Sequence, residues 1–389
     1  MNRSFTQGGT TIFERMSALA RDTGAINLGQ GYPDAHGPHE LIEAAATALR
    51  ERSNQYPPMR GLPELRAAIS GYYAAHQGLT IADDEIVVTS GATEALAASI
   101  TGLVGPGDEV ILIQPLYDAY APLVEMVGGV PRFVNLEPPD WRLPLEAIGR
   151  AITRSTRMII LNTPHNPTGS VIGRSALEAL ADMCAAHDIV ILCDEVWEAM
   201  IFEGERHVSP LVIESLRDRS IKIGSAGKIF SLTGWKVGWA CAAPPIAAMI
   251  AKAHQFLTFT TAPPLQWAVA EGLARPVAWH AAQRAGHAAG RAQLGSGLRA
   301  AGYAVLPSPA TWFLHVDLAA SGIALSDAEF CDRAAHEAGV VTIPISALYA
   351  VSPETRFVRL CFTKPPEVLD QALERLALFR QRLLRAGVR

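Results

Sequence analysis

Charge is scarce in this sequence. Only 18% of its 389 residues are Asp, Glu, Lys or Arg, and neither sign gathers into blocks. A net charge of -5 spread along the chain leaves no basic footprint for nucleic acid and no polybasic patch for a membrane surface. Long apolar runs are missing too: none approaches the roughly 18 residues that a membrane-spanning helix needs. The opening MNRSFTQGGTTIFERM lacks the apolar core of a secretory signal. The expected location is therefore the cytoplasm, and the expected ligand a small soluble molecule. Cysteine is sparse: residues 184, 193, 241, 331 and 361 are scattered, odd in number and without a CxxC pair. That pattern argues for buried free thiols over a zinc or redox centre, so no metal is expected. Low-complexity tracts, internal repeats and long linkers are also lacking.

What is abundant is apolar residue, at 49%, enough for a large core and two domains. Short β-branched runs alternate with helical stretches: EIVVT (85–89), EVILI (109–113), PRFVNL (131–136), RMIIL (157–161), DIVILC (188–193), SIKIG (220–224) and KVGWACA (236–242). TEALAASITGLV (93–104) and SALEALADMCAAHD (175–188) are helical candidates between them. Continuous apolar strands separated by helices predict an α/β domain, a mostly parallel seven-stranded sheet covered on both faces. The short link between SIKIG and KVGWACA predicts one antiparallel strand. From about residue 280 the pattern changes to a long Ala- and Arg-rich helix, then ATWFLHVDL and RFVRLCF as strands with SDAEFCDRAAHEAG as a helix between them. This predicts a smaller α+β domain. The expected division is a large domain over 39–284 and a small one formed by 1–38 with 285–389.

In open α/β sheets ligands bind beyond the carboxyl ends of the strands, so the residues following each apolar run carry the information. EIVVT is followed by SGATEAL, a glycine turn into a helix start whose N–H groups around Ala92 and Thr93 can hold an anion; an ordinary βα turn capped by Ser90 or Thr93 is the plain alternative. EVILI is followed by QPLYDAY, which brings Tyr117 to the rim, as a ring to stack on a flat ligand or as packing. RMIIL leads to NTPHNPTG and Asn166. DIVILC leads to Asp194, a carboxylate at a buried strand end that needs a cationic partner. SIKIG leads to SAGKIF and Lys228.

Each residue alone has a commonplace explanation. Together an anion cradle, an aromatic ring, an amide, a buried carboxylate and a lysine describe contacts to one flat, phosphorylated, aldehyde-bearing ligand with a basic ring nitrogen, which is pyridoxal 5′-phosphate (PLP). Lys228 would hold the aldehyde as a Schiff base and, once freed, move a proton at the substrate α-carbon. Asp194 would keep the ring nitrogen protonated. Asn166 would donate to the ring oxygen O3′, and Ser225, Lys236 and the amides of Ala92 and Thr93 would neutralise the phosphate, with Lys236 buried beside its anion.

In this order NTPHNPTG, CDEVWE and SAGKIFSLTGWKVGW resemble the class I/II aminotransferases of PLP fold type I. INLGQGYPD (26–34), NQYPPMRGLPELRAAI (54–69), IPISALY (343–349) and RFVRLCFTK (356–364) are similar to the kynurenine, glutamine and methionine aminotransferase subgroup, so the likeness covers nearly the whole chain. The resemblance implies that Arg359 clamps the substrate α-carboxylate and that Gly31 and Tyr32 close over the substrate. It also implies that Tyr56 reaches the phosphate of a neighbouring subunit and that Phe259 is offered across a homodimer interface. Trp197 departs from the family, which carries a tyrosine there. With no ionisable hydroxyl there, the ionised O3′ loses one donor and leans harder on the imine proton, so the Schiff base is expected to hold its proton to higher pH than in relatives with the tyrosine; the alternative is that Trp197 simply packs and Asn166 suffices.

The implied activity is transfer of an amino group between an amino acid and a 2-oxo acid. An uncharged donor such as methionine, glutamine or an aromatic amino acid is expected, because only Arg359 is identifiable as a carboxylate clamp. Trp312, Tyr32 and Tyr349 are candidates for an apolar pocket. The alternatives are C–S β-elimination from cysteine conjugates and transamination of N-succinyl-diaminopimelate. A PLP-fold regulator would need a DNA-binding module for which no length remains, and a nicotinamide enzyme would need a third glycine that GQGYPD lacks.

Overall fold

The computed structural model describes residues 10–202, 204 and 206–387; residues 1–9 of the segment read above for a secretory signal, and of the expected small domain, lie outside them. Seven strands form the main sheet: β1 (Ile86–Thr89), β2 (Glu109–Gln114), β3 (Val130–Asn135), β4 (Thr156–Asn162), β5 (Val190–Asp194), β6 (Ser220–Ser225) and β7 (Gly238–Ala242). Their order is β1-β7-β6-β5-β4-β2-β3. All neighbours pair in parallel except β7, which runs antiparallel to both β1 and β6. The fold is therefore α/β with the single reversed strand that the short link demands. Except for the edge strand β3, nearly every strand residue is buried, as expected of a sheet covered on both faces.

Two strands start two residues later than the apolar runs suggest. Asp188 takes a left-handed conformation (φ 51°) that closes the helix Arg174–His187, so β5 starts at Val190 and Asp194 is its last residue. Lys236 is also left-handed (φ 52°) and lies in the turn before β7. A β-carbon on Gly238, the first residue of β7, would lie 2.6 Å from the Ala92 amide nitrogen, so only glycine lets this strand abut the start of the helix Ala92–Leu103.

The long helix Val277–Ala300 leads to a second sheet of β8 (Ala304–Val305), β9 (Phe313–Asp317), β10 (Ile343–Pro344) and β11 (Phe357–Cys361), ordered β10-β11-β9-β8 and antiparallel throughout. The predicted helix between β9 and β11 is α-helical over Asp327–Arg333 and continues as a π-helical turn to Ala338. The N-terminal helix Ile12–Thr23 joins this part of the molecule: the next residues, Ile26–Asn27, pair in parallel with Val340–Val341.

Candidate active site

At the carboxyl ends of β1, β2, β4, β5 and β6 the structure has a cavity of about 240 Å³. Ala92, Thr93, Tyr117, Asn166, Asp194, Trp197, Ser225, Lys228 and Lys236 all line it, so nine residues singled out from strand ends converge on one space.

Asp194 is 5% exposed. Its Oδ2 accepts a hydrogen bond from the Tyr120 hydroxyl at 2.7 Å and its Oδ1 one from the Val196 amide at 3.3 Å. Burial pushes the carboxyl up to about 6, against the pull of these donors and of the Lys228 charge. Among the described residues no cation lies in ion-pair contact with it. The cationic partner expected from sequence is thus a hydroxyl, an amide and a more distant ammonium, and the carboxylate still faces a cavity in which a protonated ring nitrogen can complete it.

Lys228 sits on the single turn Ala226–Ile229 that follows β6. Its Nζ lies 4.7 Å from the ring centre of Trp197 and 5.2 Å from that of Trp312. Burial pushes the amine down to about 8, with Asp194 opposing the shift.

Gly91 caps the helix Ala92–Leu103 and has φ +84°. No side chain caps this helix start, which removes the ordinary-cap reading of Ser90 and Thr93; the Ser90 amide donates instead to Glu94. The first-turn N–H groups therefore face the cavity beside Ser225. A β-carbon on Gly91 would lie 3.2 Å from Lys236 Nζ, so the missing side chain leaves room for that ammonium. Lys236 is exposed and not buried, and reaches the cavity from the surface.

Asn166 is locked from two sides. Its backbone N–H donates to Asn162 Oδ1 at 2.7 Å, and its Oδ1 accepts from Arg359 Nη1 at 2.9 Å. Arg359 Nη2 donates to the Gly29 carbonyl at 2.9 Å, and its Cζ lies over the Phe313 ring, 3.9 Å from the ring centre. Its Nε is buried without an acceptor. Burial pushes Arg359 down to about 10. Tyr117 is half-buried, with its hydroxyl 3.5 Å from Thr93 Oγ1.

Other residues singled out from sequence stand apart from the cavity lining. Tyr56 is 82% exposed and meets Phe259 edge-on at 5.4 Å on the surface. Tyr32 is exposed near Lys364, and Gly31 packs near Phe313. Trp312 is fully buried behind Trp197, and Tyr349 packs under β2 and β4. Neither of these two is a wall of the cavity. Sequence reading missed Tyr120 and Asn162. Tyr120 stands three residues after Tyr117 in QPLYDAY, and Asn162, the last residue of β4, donates to the Asp194 carbonyl at 2.8 Å.

Directly behind Asp194 lies a buried polar cluster. Lys222 Nζ donates to Glu195 and, at 2.5 Å, to Glu198; Glu195 also meets His207 at 2.5 Å and Ser209 at 2.8 Å. Glu195, Glu198 and His207 are close enough together to hold a metal ion, but the Lys222 ammonium already bonds both carboxylates.

The chain matches the family Aminotransferase class I and II over residues 23–376. It is 42% identical to the methionine aminotransferase of Escherichia coli, covering 95% of this chain and 96% of that one. It is 40% identical to the probable N-succinyldiaminopimelate aminotransferase of Mycobacterium tuberculosis, covering 96% and 97%. The solved structures of an Escherichia coli methionine aminotransferase and of the Mycobacterium tuberculosis N-succinyldiaminopimelate aminotransferase each superpose with a TM-score of 0.94 at 40% identity, covering 97% of this chain and 99% of theirs. Membership implies PLP, and the cavity suits it: an uncapped helix start with Lys236 for the phosphate, a buried carboxylate without a cation for the ring nitrogen, and a lysine amine for the aldehyde. The chain belongs to the class I and II aminotransferases, PLP enzymes of fold type I.

Proposed function

We propose that the enzyme moves the amino group of an uncharged, apolar or aromatic amino acid to a 2-oxo acid, with Lys228, Asp194, Asn166 and Arg359 as its working residues. The observation that carries this reading is the convergence of the Lys228 amine, the Asp194 carboxylate and Asn166 on one cavity, with Arg359 bonded to Asn166 Oδ1 just outside the lining. PLP, when bound, supplies an aldehyde and an electron-accepting ring.

Lys228 would hold the aldehyde carbon, and its amine, when free, would accept and return a proton at the substrate α-carbon. Its depressed basicity, due to burial, leaves much of the amine neutral near pH 8 and able to accept that proton. Asp194, held by Tyr120 and the Val196 amide, keeps the ring nitrogen protonated. Asn166 orients O3′, and Tyr117 covers a ring face. Ala92, Thr93, Ser225 and Lys236 bind the phosphate. Arg359 receives the α-carboxylate with the guanidinium hydrogens that Asn166 and Gly29 leave free, and Gly31 with Tyr32 closes over the substrate.

The uncharged donor is supported by the apolar wall beside Arg359: Phe313 and Phe13 flank its guanidinium, and among the described residues no arginine lines the cavity itself. A donor of the methionine type, as in the Escherichia coli relative, suits that wall better than N-succinyldiaminopimelate, whose distal carboxylates would need cations. Two further parts belong to the proposal. Exposed Tyr56, Phe256 and Phe259 suit an interface with a second copy, so the enzyme is a homodimer with shared sites. Five buried free cysteines suit a reducing compartment, the cytoplasm; among the described residues no helix is long and apolar enough to cross a membrane. Residues 39–284 are read as the large domain, and 1–38 with 285–389 as the small one.

Borohydride reduction followed by peptide mapping tests the site: the adduct is expected on Lys228, and its absence there overturns the reading. A panel of amino acids, scored by loss of the aldehyde absorbance, tests the donor. Conversion by acidic donors at a rate equal to that of methionine would refute the uncharged class.

A further inference from the structure

The Lys228 amine has unusual surroundings for a buried cation. Among the described residues its Nζ makes no hydrogen bond and no ion pair. Two indole rings face it instead, with centres at 4.7 Å and 5.2 Å, and these rings meet edge to face at 84° with centres 4.9 Å apart. The amine thus lies in the corner of two nearly perpendicular aromatic planes. Indole offers the strongest π face to a cation among the side chains, and the attraction grows when water is excluded. Trp197 is 3% exposed and Trp312 fully buried.

The corner is also fixed in place. The segment carrying Trp197 and the one carrying Trp312 are joined by a bond from the Thr311 amide to the Met200 carbonyl at 2.8 Å and by a bridge between Ile201 and Ala310. Trp197 leans on Phe313, and Trp312 packs near His287, which burial pushes down to about 4 and so keeps uncharged at neutral pH.

We propose that Trp197 and Trp312 form a cation–π cradle for the Lys228 amine, and that Trp312, which does not line the cofactor cavity, is a positioning residue acting through that lysine. The inference rests on the assignment of Lys228 as the reactive amine. A hydrogen bond would hold the ammonium in one direction; two ring faces steady it while leaving it free to rotate on its stem. The amine can then carry a proton to either side of the cavity, and the cradle favours its charged state between transfers. The other charged or titratable groups that act on the amine are Asp194 and Cys361, which favour the ammonium, and Arg359 and Lys236, which oppose it.

The test uses enzyme loaded with pyridoxamine phosphate, in which the Lys228 amine is free. Competitive labelling with acetic anhydride across a pH series, read by peptide mass spectrometry, gives the midpoint at which Lys228 becomes reactive. Trp312→Leu and Trp312→Met remove the π face, and both are expected to move the midpoint down by about half a pH unit to one unit. Trp312→Phe should move it less, in the same direction. A drop in kcat with little change in the KM for the amino acid should accompany the shift. A merely structural role would lower thermal stability and leave the midpoint where it was. An unmoved midpoint in any of these variants that folds overturns the cradle. Should only the phenylalanine variant fold, its smaller downward shift remains the required result. Loss of the borohydride adduct at Lys228 in the unsubstituted enzyme would instead overturn the underlying assignment, so the two failures are distinguishable.

Discussion

The Tyr120 hydroxyl lies 2.7 Å from Asp194 Oδ2, and it is the shorter of the two hydrogen bonds that the structure gives this carboxylate. Tyr120 is itself fully buried, so the bond is protected from water. A hydrogen bond to a charged group is worth about 1.5–3 kcal/mol. Tyr120→Phe should therefore raise the Asp194 carboxyl above its present value of about 6 and weaken PLP binding roughly tenfold or more. The defect should be larger at pH 6 than at pH 8, because less of the carboxylate is ionised at the lower pH. Absorbance titration of cofactor-stripped protein at both pH values checks this, and equal affinities for variant and parent would refute it.

Asp194 should also impose a stability cost before the cofactor arrives. Its folded carboxyl, near 6, stands above the ordinary value of 3.8 because of burial. Unfolding then releases protons, and the cofactor-free protein loses stability as pH rises from about 4 to 6, reaching a deficit of about 2–3 kcal/mol above that window. Asp194→Asn should abolish this slope. Urea unfolding at pH 4 and pH 7.5 should find the cofactor-free variant level with its parent at the first and more stable at the second, while cofactor-dependent turnover falls by orders of magnitude.

Lys222 makes the converse case. Its burial between Glu195 and Glu198 raises its proton affinity, the two carboxylates outweighing desolvation. Lys222→Met leaves two buried acids without their cation and should destabilise the fold by about 3–5 kcal/mol. Neutralising both acids as well, in Lys222→Met with Glu195→Gln and Glu198→Gln, should recover much of the loss. Denaturant midpoints decide this, and a triple variant no more stable than the single one would exclude charge imbalance as the cause.

Arg359→Lys keeps the charge but not the fork. The lysine cannot bond Asn166 Oδ1 and the Gly29 carbonyl together while presenting two parallel donors to a carboxylate. A loss of about 2–3 kcal/mol in substrate recognition is expected, which is roughly 30- to 150-fold in kcat/KM and mostly in KM. An unaltered KM would remove Arg359 from the α-carboxylate role.

Much of the fold could be read directly. The apolar runs from EIVVT to KVGWACA all form strands of the main sheet, and the reversed strand follows from the short SIKIG–KVGWACA link. The errors fall where backbone conformation outweighs composition. Asp188 and Lys236 read as strand residues yet adopt left-handed turns, one closing a helix and the other leading into a strand whose first glycine abuts a helix. Trp312 and Tyr349 are pocket candidates by residue type, but type does not say which side of a strand or turn a ring will occupy.

The sequence by itself determined which groups meet at the cavity rim. Strands β1, β2, β4, β5 and β6 point the same way and open their carboxyl ends on one edge of the sheet, so the residue after each of these apolar runs is committed to that edge by local pattern. Only the tertiary structure decided what stands behind that space. The bond from Tyr120 to Asp194 spans 74 residues, and the ring of Trp312, in the bend before β9, backs Trp197 in the turn after β5. Contacts of that kind depend on helix phase, sheet order and the approach of two separately built layers, none of which a one-dimensional pattern of apolar and polar residues encodes.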